Sequence, residues 1–388
     1  MSDREFDVVV YGASGFTGRL VAQYLGGRAS GQPGPVGSWA VAGRNEAKLR
    51  AVMDEIGVDA PIIVADASDP ASLAAMAERT RVVLTTVGPY QKYGEPLLKA
   101  CIEAGTDYTD LCGEPAWMAQ MIEAHEDAAR ASGARVVFSA GFDSIPSDLG
   151  VWFLQETATE RHGHPCTSVR LRVRAMKGTF SGGTAASFQE TMKAAFSDPS
   201  VVARLKDPFA LTPGFEGPKQ PSMSKPRQEG DTWLAPFVMA TINTKTVHRS
   251  NMLLGHAYTE GFTYEEMVVA GQGERGETTA QAIASDDSMS PEKAPKPGEG
   301  PSEEERETGF YDLAVEGETE SGERVAVSVR GDKDPGYGST SKMIAQTALC
   351  LASDVEGLGG GFHTTAVLDG QLLKRLREHA GLTFAVEN

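Results

Sequence analysis

Gly12, Gly15 and Gly18 stand at the start of a chemically suggestive run, Gly12-Ala13-Ser14-Gly15-Phe16-Thr17-Gly18. It follows the apolar stretch Phe6–Tyr11 and precedes the amphipathic stretch Arg19–Leu25. A glycine turn between a buried strand and a helix lays a dinucleotide pyrophosphate on the helix N-terminus, where free N–H groups and the helix dipole favour an anion. Each glycine has a task there: a tight turn, close approach of backbone to phosphate, or close packing of helix on strand. The spacing is GxxGxxG rather than GxGxxG, a form common among NADP-binding Rossmann variants. Gly12, Ser14, Gly15, Phe16, Thr17 and Gly18 are therefore candidate cofactor contacts. A β-branched residue at Gly15 is expected to occupy pyrophosphate space and to resist a positive φ.

The second strand is expected at Ser38–Gly43, and Arg44 follows it. An acidic residue at this place accepts from the ribose hydroxyls of NAD, whereas a planar guanidinium suits the 2′-phosphate of NADP. Arg44 thus argues for NADP(H); the alternative is a solvated arginine at the start of a helix near Asn45. Ile62–Asp66 reads as a third strand, with Asp66 near the adenine edge, and Arg81–Gly88 as a fourth, with Gly88 and Pro89 near the nicotinamide. The turn Gly88-Pro89-Tyr90-Gln91-Lys92-Tyr93-Gly94 then offers Tyr90 and Lys92 as proton donors or stabilisers of negative charge. Equally, its tyrosines could pack beneath the helix from Pro96. Glu114, after Tyr108-Thr109-Asp110, reads as a helix N-terminal charge or a substrate contact. A sixth strand at Arg135–Ala140 leads into Gly141–Asp148, where Asp143 and Ser144 are expected to face the cleft and Ser147 to cap the next helix.

The elements that must position these residues follow from periodicity. Over residues 1–150 short apolar strands alternate with helical stretches, which predicts a Rossmann doubly wound parallel sheet in an α/β protein. Residues 165–335 change texture: Val169–Arg174 alternates with period two, and further strands are expected at Trp233–Lys245, Met252–Thr259, Tyr311–Glu318 and Arg324–Arg330. With helices expected at Ala185–Phe196 and Phe262–Gln272, this is a second α+β domain on a mainly antiparallel sheet, for substrate or dimerisation. Within it, 290–308 is rich in Pro, Gly and Glu and reads as a mobile loop. Residues 336–388 are expected as C-terminal helices packing back on the first domain.

Composition narrows the function. A chain of 388 residues, 40% hydrophobic, supports two domains, and a net charge of −17 speaks against nucleic acid. Four scattered cysteines and seven histidines form no metal-ligand spacing, so no metal is expected, and the thiols suit a reducing compartment. No secretory signal and no membrane span is visible, which predicts a cytoplasmic protein, with peripheral membrane contact and a homodimer both open. None of the nine tyrosines has a lysine four residues on, which argues against the Tyr-x-x-x-Lys mechanism of short-chain dehydrogenases.

VVVYGASGFTG, VAGR, TTVGPYQKYGEPLLKAC, AGTDYTDLCGE and AGFDSIPSDLG, followed by GTFSGGTAAS and DPGYGSTSKM, resemble the saccharopine dehydrogenase-like oxidoreductases, including trans-acting enoyl reductases of polyketide-derived glycolipid biosynthesis. The resemblance touches nearly the whole chain. It implies an NADP-binding Rossmann domain with Gly12, Gly15, Gly18 and Arg44 on the cofactor, and it transfers no catalytic residue. Three readings follow: an NADPH-dependent reductase of an activated double bond on a small or carrier-bound acyl chain; a C–N dehydrogenase with Arg170, Arg172 and Arg174 clamping carboxylates; or a non-catalytic NADP-sensing or lipid-associated protein.

Overall fold

The computed structural model describes residues 4–29, 31–296, 298–368 and 370–387. The first half alternates strand and helix: β1 (Phe6–Tyr11), α1 (Phe16–Leu25), β2 (Trp39–Gly43), α2 (Glu46–Ile56), β3 (Ile62–Val64), α3 (Pro70–Glu78), β4 (Thr80–Thr85), α4 (Tyr90–Ala104), β5 (Asp107–Thr109), α5 (Pro115–Ser132), β6 (Arg135–Val137) and α6 (Ile145–His162). Several strands stop earlier than the apolar runs suggest, so Asp66, Gly88 and Asp143 all lie in loops beyond the strand ends. β1 is buried almost throughout, as a central parallel strand must be, and α1 buries Leu20, Val21, Tyr24 and Leu25 along one stripe.

The second half runs β7 (Cys166–Lys177), α7 (Gly182–Ser197), α8 (Pro199–Lys206), β8 (Arg227–Glu229), β9 (Thr232–Pro236), α9 (Ala240–Leu253), β10 (Thr263–Gln272), α10 (Gly273–Ala284), α11 (Glu303–Thr308), β11 (Phe310–Thr319) and β12 (Arg324–Gly331). A π-helical turn at Pro335–Ser339 then opens α12 (Thr340–Ser353), followed by β13 (Gly361–His363), α13 (Gln371–His379) and β14 (Leu382–Glu387). Two seven-stranded sheets result, ordered β13-β6-β5-β4-β1-β2-β3 and β14-β12-β11-β7-β10-β9-β8. Every pairing in the first is parallel. In the second only β7 with β10 is parallel, as expected of a mainly antiparallel sheet. The order of the first sheet reverses between β1 and β4, which opens a crevice at their carboxyl ends.

Three expectations for the second half are corrected. The strand expected to reach Lys245 is corrected: Thr241, Ile242 and Thr244 belong to α9, a helix so enclosed that most of its polar side chains are buried too. Met252–Thr259 is the end of that helix and the turn after it. Phe262–Gln272, expected as a helix, is chiefly β10; Glu265 is drawn into ion pairs with Arg172 at 2.5 Å and Arg227 at 2.8 Å, which reward an extended backbone at this register. The 290–308 stretch ends in α11, whose Ser302 and Glu305 form a reciprocal capping box.

The C-terminal segment, expected as helices on the first domain, divides. α12 packs on α1 and β4, β13 extends the parallel sheet beside β6, and β14 pairs with β12 at the edge of the second sheet. One apolar cluster therefore runs from Val8 and Val10 through Ile344 and Leu349 of α12 and Leu149 of α6 to Val315 and Val327. Beside it, Asp148 accepts from Ser250 Oγ, from Thr365 Oγ1 at 2.7 Å and from the Ala366 N–H at 2.8 Å, joining α6 to α9 and the C-terminal segment.

A β-carbon on Gly18 would lie 2.8 Å from Ala13 Cα and collide with the Gly12 carbonyl. Neither neighbour is a movable side chain. Gly18→Ala is expected to cost about 1–3 kcal/mol through overpacking, read as a lower Tm in a thermal melt; an unchanged Tm would refute that close approach.

Candidate active site

Gly12 is the residue that needs its glycine character for conformation. It has φ +91°, and a β-carbon there would lie 2.6 Å from Val87 Cγ2. Gly15 does not: its φ is −84° and ψ 171°, an extended N-cap conformation, so the expected positive φ is corrected. What Gly15 provides is room, since an added β-carbon would meet only the Gly12 carbonyl oxygen, at 3.2 Å. The N-terminus of α1 carries no side-chain cap and no acid in its first turn. Among the described residues the hydroxyls of Ser14 and Thr17 form no hydrogen bond, so this end presents unspent donors to an anion. That donor set fits a dinucleotide pyrophosphate.

Arg44 follows β2 fully exposed and forms no ion pair among the described residues. The helix after it is capped by Asn45, whose Oδ1 accepts the Lys48 N–H at 2.9 Å, so capping does not occupy Arg44. Its charge is close enough to help hold Asp66 below the usual carboxylate range, after the larger effect of Ser68, whose N–H and hydroxyl both bond to that carboxylate. Arg44 is thus a free guanidinium at the ribose end of the crevice.

At the nicotinamide end, Gly88 and Pro89 are joined by a cis peptide, and α7 of the second domain lies over them. A β-carbon on Gly88 would be 3.3 Å from Ser187 Oγ. The Tyr90 hydroxyl is spent: it accepts the Leu111 N–H at 3.1 Å and donates to the Thr85 carbonyl at 3.4 Å, and burial pushes its acidity far out of range. Lys92 is exposed and paired with Glu190 of α7 at 2.8 Å. Glu114 receives the Tyr90 and Gln91 N–H groups, both at 2.9 Å, so this buried carboxylate closes the N-terminus of α4. Ser144 is buried as well, donating to Asn243 Oδ1 at 3.1 Å within a polar cluster between α6 and α9. Tyr90 and Ser144 are therefore corrected from cleft-facing groups to internal ties, and Lys92 to a surface tie.

Asp143 is different. It is half-buried in the loop after β6, near Gly113 of the loop after β5, and its carboxylate bonds only to its own N–H among the described residues. Burial pushes its pKa from 3.8 up to about 7. Its charge also reaches Tyr337, a residue the sequence reading did not single out although it lies in DPGYGSTSKM. The Tyr337 hydroxyl takes the Ser181 N–H at 2.5 Å and bonds Thr184 Oγ1 at 2.8 Å, and its ring stands edge-on to Phe16 at 5.2 Å. Asp334 aims it by accepting the Tyr337 N–H at 3.0 Å and the Gly338 N–H at 2.7 Å. The signal available was the glycine pattern around Tyr337, which only a tight turn explains.

A parallel sheet with an uncapped glycine-turn helix and a free arginine after β2 defines a dinucleotide-binding oxidoreductase. Residues 8–137 match the saccharopine dehydrogenase NADP binding domain. Over nearly the full length the chain is 40% identical to a Mycobacterium tuberculosis protein provisionally named a trans-acting enoyl reductase, with 96% of each covered. It is 37% identical to the trans-acting enoyl reductase of Mycobacterium ulcerans, covering 97% of this chain and 96% of that one. The fold is similar to that of apo saccharopine dehydrogenase (L-Glu forming) from Saccharomyces cerevisiae, at 11% identity, a TM-score of 0.54, and 98% and 99% coverage. The chain belongs to the trans-acting enoyl reductase family of saccharopine dehydrogenase-like proteins, and it is an NADP-dependent oxidoreductase. Among the described residues no cluster of side chains is built to hold a metal, and no helix is long and apolar enough to cross a membrane.

Two outcomes test this site. Gly15→Val is expected to leave the melting temperature close to the parent's but to abolish NADPH binding in calorimetry, because the new side chain fills the open side of the cradle; normal binding would place the phosphate elsewhere. Arg44→Ala is expected to remove a preference for NADPH over NADH of about tenfold, or about 1.4 kcal/mol, with NADH affinity nearly unchanged. Equal affinities in the parent would sink that assignment.

Proposed function

We propose that this protein reduces an activated carbon–carbon double bond of an acyl substrate, free or carrier-bound, with Asp143 supplying the proton. Such a reduction consumes one hydride and one proton. NADPH supplies the hydride when bound. The chain's own part is to leave the phosphate cradle open, exclude water above Gly88 with α7, and hold a proton near the carbon that becomes negatively charged. Asp143 is the observation that carries the reading: a half-buried carboxyl beside the crevice, poised near neutrality and without a partner that would fix it as a carboxylate. The exposed apolar side chains of α7 (Phe188, Met192 and Phe196), with Tyr93 of α4, suit an acyl chain arriving at this mouth.

The C–N dehydrogenase reading loses two of the three arginines of its clamp. Arg172 is buried against Glu265 and Glu229, and Arg174 is held by Asp312 and Glu387, so both cations are already neutralised within the second sheet. The reading includes no nucleic acid partner, a cytoplasmic setting that allows peripheral contact with a membrane, and a homodimer as the assembly to look for.

With S-crotonyl-N-acetylcysteamine and NADPH, Asp143→Asn is expected to lower kcat by about a hundredfold or more while NADPH affinity stays within the error of calorimetry. In the parent, turnover should fall as pH rises through about 7, where Asp143 loses its proton, and this limb should vanish in the variant. The same raised pKa makes a signed contribution to stability: it is present in full below the ordinary value of 3.8 and is lost as pH rises through about 7. Retained turnover with the same pH profile in Asp143→Asn would remove Asp143 from the chemistry.

A further inference from the structure

The acidic stretch 290–308 is largely exposed, but around Gly300 and Arg306 it lies against the phosphate cradle. A β-carbon on Gly300 would sit 2.6 Å from the Phe16 ring, and the Glu299 carbonyl accepts the Gly182 N–H at 3.1 Å. Ser302 and Glu305 then start α11, and the fourth residue of that helix is Arg306. Its guanidinium lies 5.7 Å from the centre of the Phe16 ring. Phe16 is the first residue of α1, the helix whose N-terminus is left uncapped.

Arg306 is anchored but not consumed. Its carbonyl accepts the Asp334 N–H at 3.0 Å and its Nη1 donates to the Pro301 carbonyl at 2.6 Å. Among the described residues Nε and Nη2 donate to nothing, and no carboxylate pairs with the guanidinium. The acids around it are turned elsewhere: Glu305 to Ser302, Glu307 to Lys333, and Asp334, whose charge does reach Arg306, to the N–H groups of Tyr337 and Gly338. Glu303 and Glu304 are exposed. A part-buried guanidinium with spare forked donors, held over the first residue of a phosphate-binding helix, is the arrangement that recognises a phosphate oxygen pair.

We infer that Arg306 is a pyrophosphate ligand of the dinucleotide, delivered to the Rossmann cradle by the second domain. It rests on the NADP-binding reading and differs from Arg44 in what it senses. Arg44 reads the 2′-phosphate, which only NADP(H) carries, whereas Arg306 addresses the diphosphate shared by NADPH and NADH. The charged strap thereby gains a role: its single arginine is presented while its acids are tied back or left in solvent.

The experiment is calorimetric titration of the full chain, the Arg306→Met and Arg306→Lys variants, each with NADPH, NADH and 2′-AMP. Arg306→Met is expected to weaken NADPH and NADH alike, by about tenfold, and to leave 2′-AMP, which has no pyrophosphate, unchanged. Arg306→Lys keeps the charge without the fork and should recover part of the loss. Unaltered NADPH and NADH affinity in a folded Arg306→Met protein overturns the inference and leaves Arg306 as a structural contact of Phe16. Equal weakening of 2′-AMP overturns it as well, because the loss would then reflect a general disturbance of the domain. If the parent itself fails to bind NADPH, the underlying cofactor reading has failed, a result distinct from either of these.

Discussion

The close approach of α1 to the turn before it is the constraint on which the site depends. With no β-carbon at Gly18, the helix sits directly on the backbone of Gly12 and Ala13, and Gly12 can hold a conformation that other residues resist. That contact fixes where the helix begins, and therefore where its unpaired N–H groups point. Every other cofactor contact is placed relative to it. Val87, at the end of the neighbouring strand β4, abuts Gly12; Phe16 carries the contacts with Tyr337 and Arg306; and Arg44 lies one strand over.

The second domain is tied to this cradle by polar contacts that each have a specific geometric demand. Tyr337 joins Phe16 to the start of α7, Gln91 and Lys92 hold the middle of α7, and Asp148 fixes α6 to α9 and to the C-terminal segment. Burying so many polar groups is tolerable because most of them find partners. The consequence is a crevice whose roof and floor come from different halves of the chain yet share one apolar core. α12 is the beam in that arrangement: it packs on α1 and β4 while the turn that starts it carries Tyr337 into the site.

Much of this was legible from local pattern. The glycine turn, the early parallel strands and Arg44 were readable because each follows from a short-range rule about phosphate binding or buried strands. The second half was less so, and α9 and β10 show why. In α9 β-branched residues sit in a helix enclosed on all sides, and in β10 adjacent glutamates sit in a strand because Arg172, Arg227 and Asn243 meet them there. Tertiary partners outweighed intrinsic preference in both. The site residues show the same limit. Tyr90 and Asp143 stand in similar loops beyond strand ends, and nothing in their neighbours along the chain reveals that one hydroxyl is spent on Leu111 while the other side chain is left unpaired.

The two buried acids at the nicotinamide end show how the fold separates their roles. Asp110 and Asp143 are both pushed up to about 7 by burial, and the charge of Asp143 adds to the effect on Asp110. Their surroundings are not equal. Asp110 accepts the N–H groups of Cys112 and Ser139, both at 2.9 Å, and the Tyr108 hydroxyl at 3.0 Å, three donors that favour its charged form. Asp143 has only its own N–H. Asp110 thus has the donors to carry a negative charge without solvent, whereas Asp143 keeps the partial exposure through which a proton can be passed on. Asp110 is enclosed just beyond β5 and is a structural acid, while burial alone keeps the accessible Asp143 protonated toward neutrality. The proton source proposed for the reduced carbon then needs only a carboxyl that is desolvated and left short of hydrogen-bond donors, while its neighbour is fully hydrogen-bonded.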